Sequence, residues 1–127
     1  MSDPQARLQT LSEEYQKIQQ ELQSSVESRQ KLEGQKQENL GVQQEFERLQ
    51  DGETIFKLAG PVLLKQDKFE ADNTVKGRLD FIGSEISRFE GQIKESQDKL
   101  EKKKGEIIQV QSAAQAAAGG QGKEAGK

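Results

Sequence analysis

The second half of the sequence contains an apolar repeat whose steps alternate between four and three residues. From Val75 to Val110 the repeat has eleven positions in 36 residues, and nine of them are apolar. The positions are Val75, Leu79, Ile82, Ile86, Phe89, Ile93, Ser96, Leu100, Lys103, Ile107 and Val110. This spacing places a narrow apolar seam along one side of a helix, and such a seam is buried against another helix in a coiled coil. The repeat predicts a helix from about residue 68 to about residue 111.

The first half repeats the same spacing less regularly. Its opening positions keep the steps of four and three without a miss: Leu8, Leu11, Tyr15, Ile18 and Leu22. The next positions in that frame are mostly polar: Ser25, Arg29, Leu32, Lys36, Asn39, Gln43 and Phe46. Val26, Val42 and Leu49 therefore suggest a shifted or loosened frame in this region. We expect a helix from about residue 4 to about residue 50.

Residues at the ends of both repeats are typical of helix boundaries. Asp3-Pro4 offers an N-cap acceptor and a proline for the first turn, and Asp67 with Glu70 fits the start of the second helix. Gln50-Asp51-Gly52 is a suitable stop, with glycine in a left-handed conformation. The two helices have nearly equal lengths. The prediction is therefore a mainly α chain, folded as a long antiparallel two-helix coiled coil.

Between the helices, two short β-prone runs flank Gly60-Pro61 and predict a hairpin at about residues 54–66. Alternation places Phe56 and Leu58 on one face of the first strand, and Val62 and Leu64 on one face of the second. An isolated hairpin is at best marginally stable in water, and two helices committed to each other cannot also cover it. We therefore expect the hairpin to pair with strands of other subunits. The residues predicted to form this contact are Ile55, Phe56, Leu58, Val62, Leu63 and Leu64.

The last stretch, residues 112–127, is rich in alanine and glycine and has no large apolar side chain. Such a composition predicts a disordered tail, with residues 1–111 forming a single domain. A helical continuation through residues 113–118 is the alternative, although the repeat does not support it.

The composition excludes several kinds of chemistry. The chain has no cysteine and no histidine, so a disulfide framework, a thiolate nucleophile, an imidazole base and the usual zinc ligands are all missing. No phosphate-binding glycine loop, signal segment or membrane-length apolar run is present. Only 28 of the 127 residues are Leu, Ile, Val or Phe, too few to build a core around a substrate pocket. We expect a soluble intracellular protein that has no cofactor and is not an enzyme.

The mid-chain segment from Phe56 to Asp67, FKLAGPVLLKQD, resembles the hairpin of β-type prefoldin subunits. Two helical stretches resemble the same family: Arg29 to Glu33 followed by Glu38-Asn39, and Val75 to Ile82 followed by Glu85-Ile86. The similarity covers roughly residues 8 to 111. One difference is Ala59, where the family usually has a bulkier aliphatic residue.

The resemblance implies a cytoplasmic heterohexamer of two α-type and four β-type subunits, whose hairpins assemble into a β-barrel bearing coiled-coil arms. It further implies a chaperone that captures unfolded chains, notably actin and tubulin, without ATP and passes them to the cytosolic chaperonin. The expected partners are thus other prefoldin subunits, unfolded polypeptides and the chaperonin, with no nucleic acid and no membrane.

Apolar residues near the two free helix ends, the predicted tips, are candidates for weak contacts with unfolded chains. Several such contacts on separate arms would together raise the affinity for one unfolded chain. The candidates are Leu8, Leu11, Ile107, Ile108 and Val110. Packing in the seam is the simpler interpretation for all of them except Ile108, which lies one step off the seam and is therefore expected to be exposed to solvent or to an unfolded chain. Fraying at the helix ends would allow both roles.

Lys102, Lys103 and Lys104 form a basic cluster near the predicted tip. A solvated helix surface is the simpler interpretation of this cluster, and an electrostatic contact with the chaperonin is the alternative. Nucleic-acid binding is disfavoured, since the pI is about 5.2 and no aromatic residues are interleaved with the lysines.

A structural or tethering coiled coil is the alternative function. The hairpin separates the two hypotheses, because a tether has no use for two apolar strands in the middle of its sequence.

Overall fold

The structure is a computed structural model that describes residues 3–50 and 52–125. Its elements in chain order are α1 (Pro4–Arg48), β1 (Ile55–Ala59), β2 (Val62–Gln66) and α2 (Lys68–Ala125). The predicted fold of two long helices and one hairpin is therefore confirmed. Met1, Ser2 and Asp51 lie outside the described residues, as do the last two residues of the predicted tail.

Both helices begin where the sequence indicates. The backbone N–H of Gln5 donates to Asp3 Oδ1 at 3.4 Å, and that of Arg7 donates to the Asp3 carbonyl at 3.0 Å. Asp3 is therefore the N-cap of α1, and Pro4 occupies the first helical position. At the start of α2, the Ala71 N–H donates to the Asp67 carbonyl at 2.9 Å, so Asp67 has the equivalent position.

The chain leaves α1 through a turn in which the Glu53 N–H donates to the Gln50 carbonyl at 3.1 Å. Gly52 lies in this turn with φ of +94°, a left-handed conformation that favours glycine. The predicted role of this glycine at the end of α1 is thus confirmed, although the helix itself ends two residues earlier than expected, at Arg48.

The chain forms two compact units. In the terminal unit, the part of α1 up to Val26 packs against α2 from Gly91 onward; the hairpin unit is Glu27–Glu90. Within the terminal unit, Glu14 of α1 contacts Lys103 of α2 and Ser25 contacts Gln92, so the two helices run antiparallel.

The seam of α2 follows the predicted repeat throughout. All eleven predicted positions are buried or half-buried, and Val75, Ile82, Ile86, Ser96 and Val110 are the most enclosed of them. One turn before the repeat, Ala71 is also buried. The apolar core is therefore a line of side chains along the helices, as the low apolar content requires.

In α1 the heptad frame that starts at Leu8 continues through the mostly polar positions from Ser25 to Phe46. Ser25 is buried, and the other frame positions up to Phe46 are half-buried, whereas Val42 is 41% exposed. The frame is therefore not shifted to Val42, while Val26 and Leu49, the other two residues on which a shifted or loosened frame was predicted, are half-buried. Arg29 shows why a polar residue fits here: its guanidinium reaches outward to Glu90 Oε1 at 3.0 Å while its stem lies along the seam.

The end of α2 also differs from the prediction. Residues 112–125 continue the helix to Ala125, so the disordered tail predicted from residue 112 was wrong for this stretch. Five of the six residues from Ala113 to Ala118 are alanine, which has the highest helix propensity, and a helix that is already formed propagates easily into such a segment. Ala114, four residues after Val110, is half-buried and extends the seam by one step.

Candidate assembly and binding surfaces

The hairpin is an antiparallel pair in which Ala59 lies opposite Val62, leaving Gly60-Pro61 as a two-residue loop. Gly60 has φ of +61°, as a type II′ turn requires at its first central residue, and the fixed negative φ of proline suits the second. The loop length fixes the register of every other pair in the hairpin. Phe56 lies opposite Lys65, and Leu58 opposite Leu63.

This register gives the ribbon two apolar faces. One face carries Phe56, Leu58 and Leu63 with Lys65; the other carries Ile55, Ala59, Val62 and Leu64 with Lys57 and Gln66. Alternation predicts that each strand has one fully apolar face and one mixed face. In the hairpin, the apolar face of each strand lies on the same side of the ribbon as the mixed face of the other strand. Each face of the ribbon has at least three large apolar side chains and one lysine.

Neither face is covered by the other residues that the structure describes. The exposed fractions are 53% for Phe56, 70% for Leu58, 53% for Val62, 63% for Leu63 and 52% for Leu64, while Ile55 is half-buried. In the described residues the sheet has two strands only, so each strand has one edge of unpaired backbone groups. Open edges and two exposed apolar faces are the features of a surface that another chain covers.

The predicted tip residues lie in the terminal unit with different exposures. Val110 is buried, and Leu8, Leu11 and Ile107 are half-buried, as seam packing requires. Ile108 is 51% exposed, as its position one step off the seam predicts. The structure thus separates one freely accessible isoleucine from four residues that also pack between helices.

The three lysines of the basic cluster have different surroundings. Lys102 and Lys104 are exposed. Lys103 lies at a seam position, where its ammonium pairs with Glu14 of α1 and with Glu106 at 3.5 Å. The hydrogen bond to Glu14 is the main reason that the pKa of Lys103 is raised above its ordinary value. Lys103 therefore ties the two helices together, and only its two neighbours are free to contact a partner.

Reversing the charge of Lys103 tests this assignment. A Lys103→Glu change would place three carboxylates together, so we expect a lower midpoint of thermal unfolding, measured by circular dichroism at low salt. Combining it with Glu14→Lys should restore part of the loss, since the ion pair between helices is re-formed with opposite polarity.

The exposed neighbour Lys102 provides the control, because Lys102→Glu breaks no ion pair and should change the midpoint little. The contribution of the charged Lys103 to stability is fully present below the ordinary pKa of lysine. It is lost only as the pH rises through the raised pKa of Lys103. Added salt, and not a change of pH near neutrality, should therefore weaken it. Equal losses for Lys103→Glu and Lys102→Glu would contradict the assignment.

Sequence reasoning missed two exposed aromatic side chains in the hairpin unit. Phe69, in the first turn of α2, is 72% exposed, and Phe81 is 65% exposed. Both lie off the heptad seam, and that is the signal that could have identified them.

Other kinds of site find little support. In the described part of the chain, no three acidic side chains are placed so that they could hold a metal ion. Over the same residues, neither helix has an apolar stretch long enough to cross a membrane.

Comparison with known proteins agrees with this geometry. A family model described as prefoldin subunit matches residues 9–114. The chain is 42% identical over 104 residues to prefoldin subunit 6 of Saccharomyces cerevisiae, covering 82% of this chain and 91% of the relative. It is also 42% identical over 107 residues to prefoldin subunit 6 of Homo sapiens, covering 84% and 83%.

A solved structure has the same fold. The prefoldin beta subunit from Thermococcus strain KS-1 superposes with a TM-score of 0.76 at 26% sequence identity. The match covers 89% of this chain and 96% of the archaeal subunit, so it includes the greater part of both helices.

Proposed function

This chain belongs to the prefoldin subunit family, and on that premise we propose that it is one subunit of a cytoplasmic heterohexameric chaperone. The assembly captures unfolded or nascent polypeptides, such as actin and tubulin, without ATP and delivers them to the cytosolic chaperonin. The observation that carries the proposal is the hairpin, whose two apolar faces and two strand edges are left open by the described part of its own chain.

The hairpin is the site of assembly in this proposal. Strands of neighbouring subunits pair with the open edges of β1 and β2, and closure into a barrel buries the exposed leucines, Phe56 and Val62. Each large apolar side chain that becomes buried contributes roughly 1.5–3 kcal/mol, so the five most exposed ones supply much of the driving force. A tethering coiled coil would gain nothing from these side chains.

Capture of unfolded chains is assigned to the helix ends of the terminal unit. Ile108 is accessible as it stands, and Leu8, Leu11, Ile107 and Val110 become accessible when the first turns of α1 fray from α2. Each such contact is weak, so release needs no energy input, and several subunits acting together provide the affinity. Lys102 and Lys104 are the cations proposed to contact the chaperonin.

Reconstitution tests the proposal directly. The full chain is combined with a complete set of α-type and β-type prefoldin partners, and the mass of the product is measured by native mass spectrometry. We expect one complex of hexamer mass that suppresses aggregation of denatured actin, followed by light scattering, without added nucleotide. Failure to form the complex would refute assembly; a complex that leaves aggregation unchanged would favour a structural role.

Polar substitution of the helix ends tests client capture separately. The double change Ile107→Ser and Ile108→Ser should weaken suppression of actin aggregation several-fold and leave the mass of the hexamer unchanged. The same changes at exposed polar positions of the terminal unit, Gln97→Ser and Asp98→Ser, serve as the control. Unaltered suppression by the isoleucine variant would remove these residues from the client surface.

A further inference from the structure

The hairpin unit has a shallow groove that is lined by residues of its two helices. It encloses about 480 Å³ and lies between Gln35 and Asn39 of α1 and one face of α2. The α2 side is formed by Thr74, Gly77, Arg78, Phe81 and Ile82. Gly77 and Phe81 are four residues apart, so they are neighbours on the same helix face.

Gly77 and Phe81 give the groove its shape. A Cβ atom built on Gly77 would meet no atom within 4 Å, so the glycine is not required by close packing within this chain. Beside Gly77, the Phe81 side chain is 65% exposed, whereas the adjacent Ile82 is buried in the seam. The result is a notch with an aromatic wall that nothing in the described chain fills.

Of the polar groups that line the notch, the Arg78 guanidinium is available to a partner. Thr74 Oγ1 donates to the Glu70 carbonyl at 2.9 Å, and Asn39 Nδ2 donates to the Gln35 carbonyl at 2.8 Å, so both are occupied within their own helices. Among the described carboxylates, none is within ion-pair distance of Arg78. Arg88, by contrast, contacts Glu85 at 2.7 Å and lies over the Phe89 ring at 4.4 Å.

The groove is continuous with the exposed surface of the hairpin. A second hollow, between the ribbon and the helices, is lined by Phe56 and Leu58 of β1 and by Val42 and Phe46 of α1. Thr74 and Arg78 line both hollows and therefore join them. A single surface thus runs from the apolar β1 face along α2 to Phe81.

We propose that this groove is a docking surface for a neighbouring subunit of the assembly. A helix or loop of that neighbour places an aliphatic or aromatic side chain over Gly77 against the Phe81 ring, and a carboxylate on Arg78. The proposal rests on the proposed function, because it extends the assembly surface beyond the strands and onto the helices.

A folded neighbour fits this surface better than an unfolded client does. The notch combines one apolar position and one cation at fixed spacing, which suits a partner of defined sequence and shape. Its continuity with the strands means that a subunit bound at the hairpin is already held close to the groove. A holdase surface would instead need several equivalent apolar contacts that tolerate varied sequences.

Filling the notch is the sharpest test. Gly77→Leu leaves the hairpin untouched and puts a large side chain where the neighbour's residue would lie, and Gly77 has room for it. We expect the complex with the partner subunits to dissociate roughly tenfold more readily, measured as the apparent Kd by native mass spectrometry on dilution. Arg78→Glu, which reverses the one charge among the described residues that line the groove, should weaken the complex to a similar degree.

Gly91→Leu is the matched control. It makes the same exchange on the same helix, also at a glycine where a Cβ meets nothing within 4 Å, but outside the groove. Both leucine variants should be at least as helical as the original chain by circular dichroism, since leucine favours helix more than glycine does. Only Gly77→Leu should weaken the complex.

The outcomes separate this inference from the proposed function. If the original chain does not assemble with its partners, the proposed function fails. If it assembles, and Gly77→Leu and Arg78→Glu assemble with unchanged Kd, the docking surface is refuted while the function stands. If both variants assemble normally but suppress actin aggregation less well, the groove binds clients and the inference is equally overturned.

Discussion

A Val62→Asp variant should no longer assemble with its prefoldin partners, although most of its helicity should remain. Val62 lies beside the hairpin loop, opposite Ala59, on a face shared with Leu64. Loss of roughly 2 kcal/mol of apolar burial would by itself weaken association about 30-fold. An unpaired carboxylate enclosed between subunits adds a desolvation cost, and assembly at micromolar concentration should then be undetectable.

Size-exclusion chromatography with light scattering measures the assembly, and far-ultraviolet circular dichroism measures the helicity. Ile108→Asp is the matched control, since Ile108 is also β-branched and is exposed to a similar extent, 51% against 53%. That variant should join the hexamer normally. A normal hexamer with Val62→Asp would show that the hairpin is not the site of assembly.

The second large effect should come from the seam. Ile86→Ala removes three carbons from a buried side chain in the hairpin unit, and we expect the free energy of unfolding to fall by about 2–4 kcal/mol. This is a large part of the roughly 5–15 kcal/mol that stabilises a typical domain. The loss should be felt strongly here because a one-dimensional core has few other buried apolar residues to compensate.

Urea unfolding followed by circular dichroism measures this change. Ile108→Ala is the same exchange on the same helix at an exposed position, and it should change the free energy of unfolding by less than about 0.5 kcal/mol. Comparable losses for the two variants would mean that the seam, as the structure places it, does not carry the stability of the helix pair.

The sequence predicts the α2 seam completely because apolar residues repeat there with almost no interruption. It fails in the second half of α1, where Arg29, Lys36 and Gln43 occupy half-buried positions of the same frame. Periodicity counts such residues as polar, but their aliphatic stems can cover a seam while the polar groups reach outward. Val42 misled the interpretation because it is apolar and yet exposed.

The hairpin shows a similar limit. Alternation gives the two faces of each strand separately, but it does not say which face of β2 lies beside Phe56. The two-residue loop decides this, and it places Leu63 and Lys65 on the Phe56 face. The groove at Phe81 was not predictable from the repeat, because it depends on which α1 residues lie next to Gly77.

The distribution of lysines over the ribbon has a consequence for the choice of neighbour. The register places one ammonium group on each face of the ribbon, that of Lys57 on one face and that of Lys65 on the other. Two identical ribbons packed face to face would therefore bury like charges in an interface that excludes water. A different polypeptide that offers an acidic group or a carbonyl oxygen at that point avoids this repulsion. The same sequence that makes the ribbon an apolar contact surface thus disfavours pairing with a second copy of itself and favours pairing with a different chain.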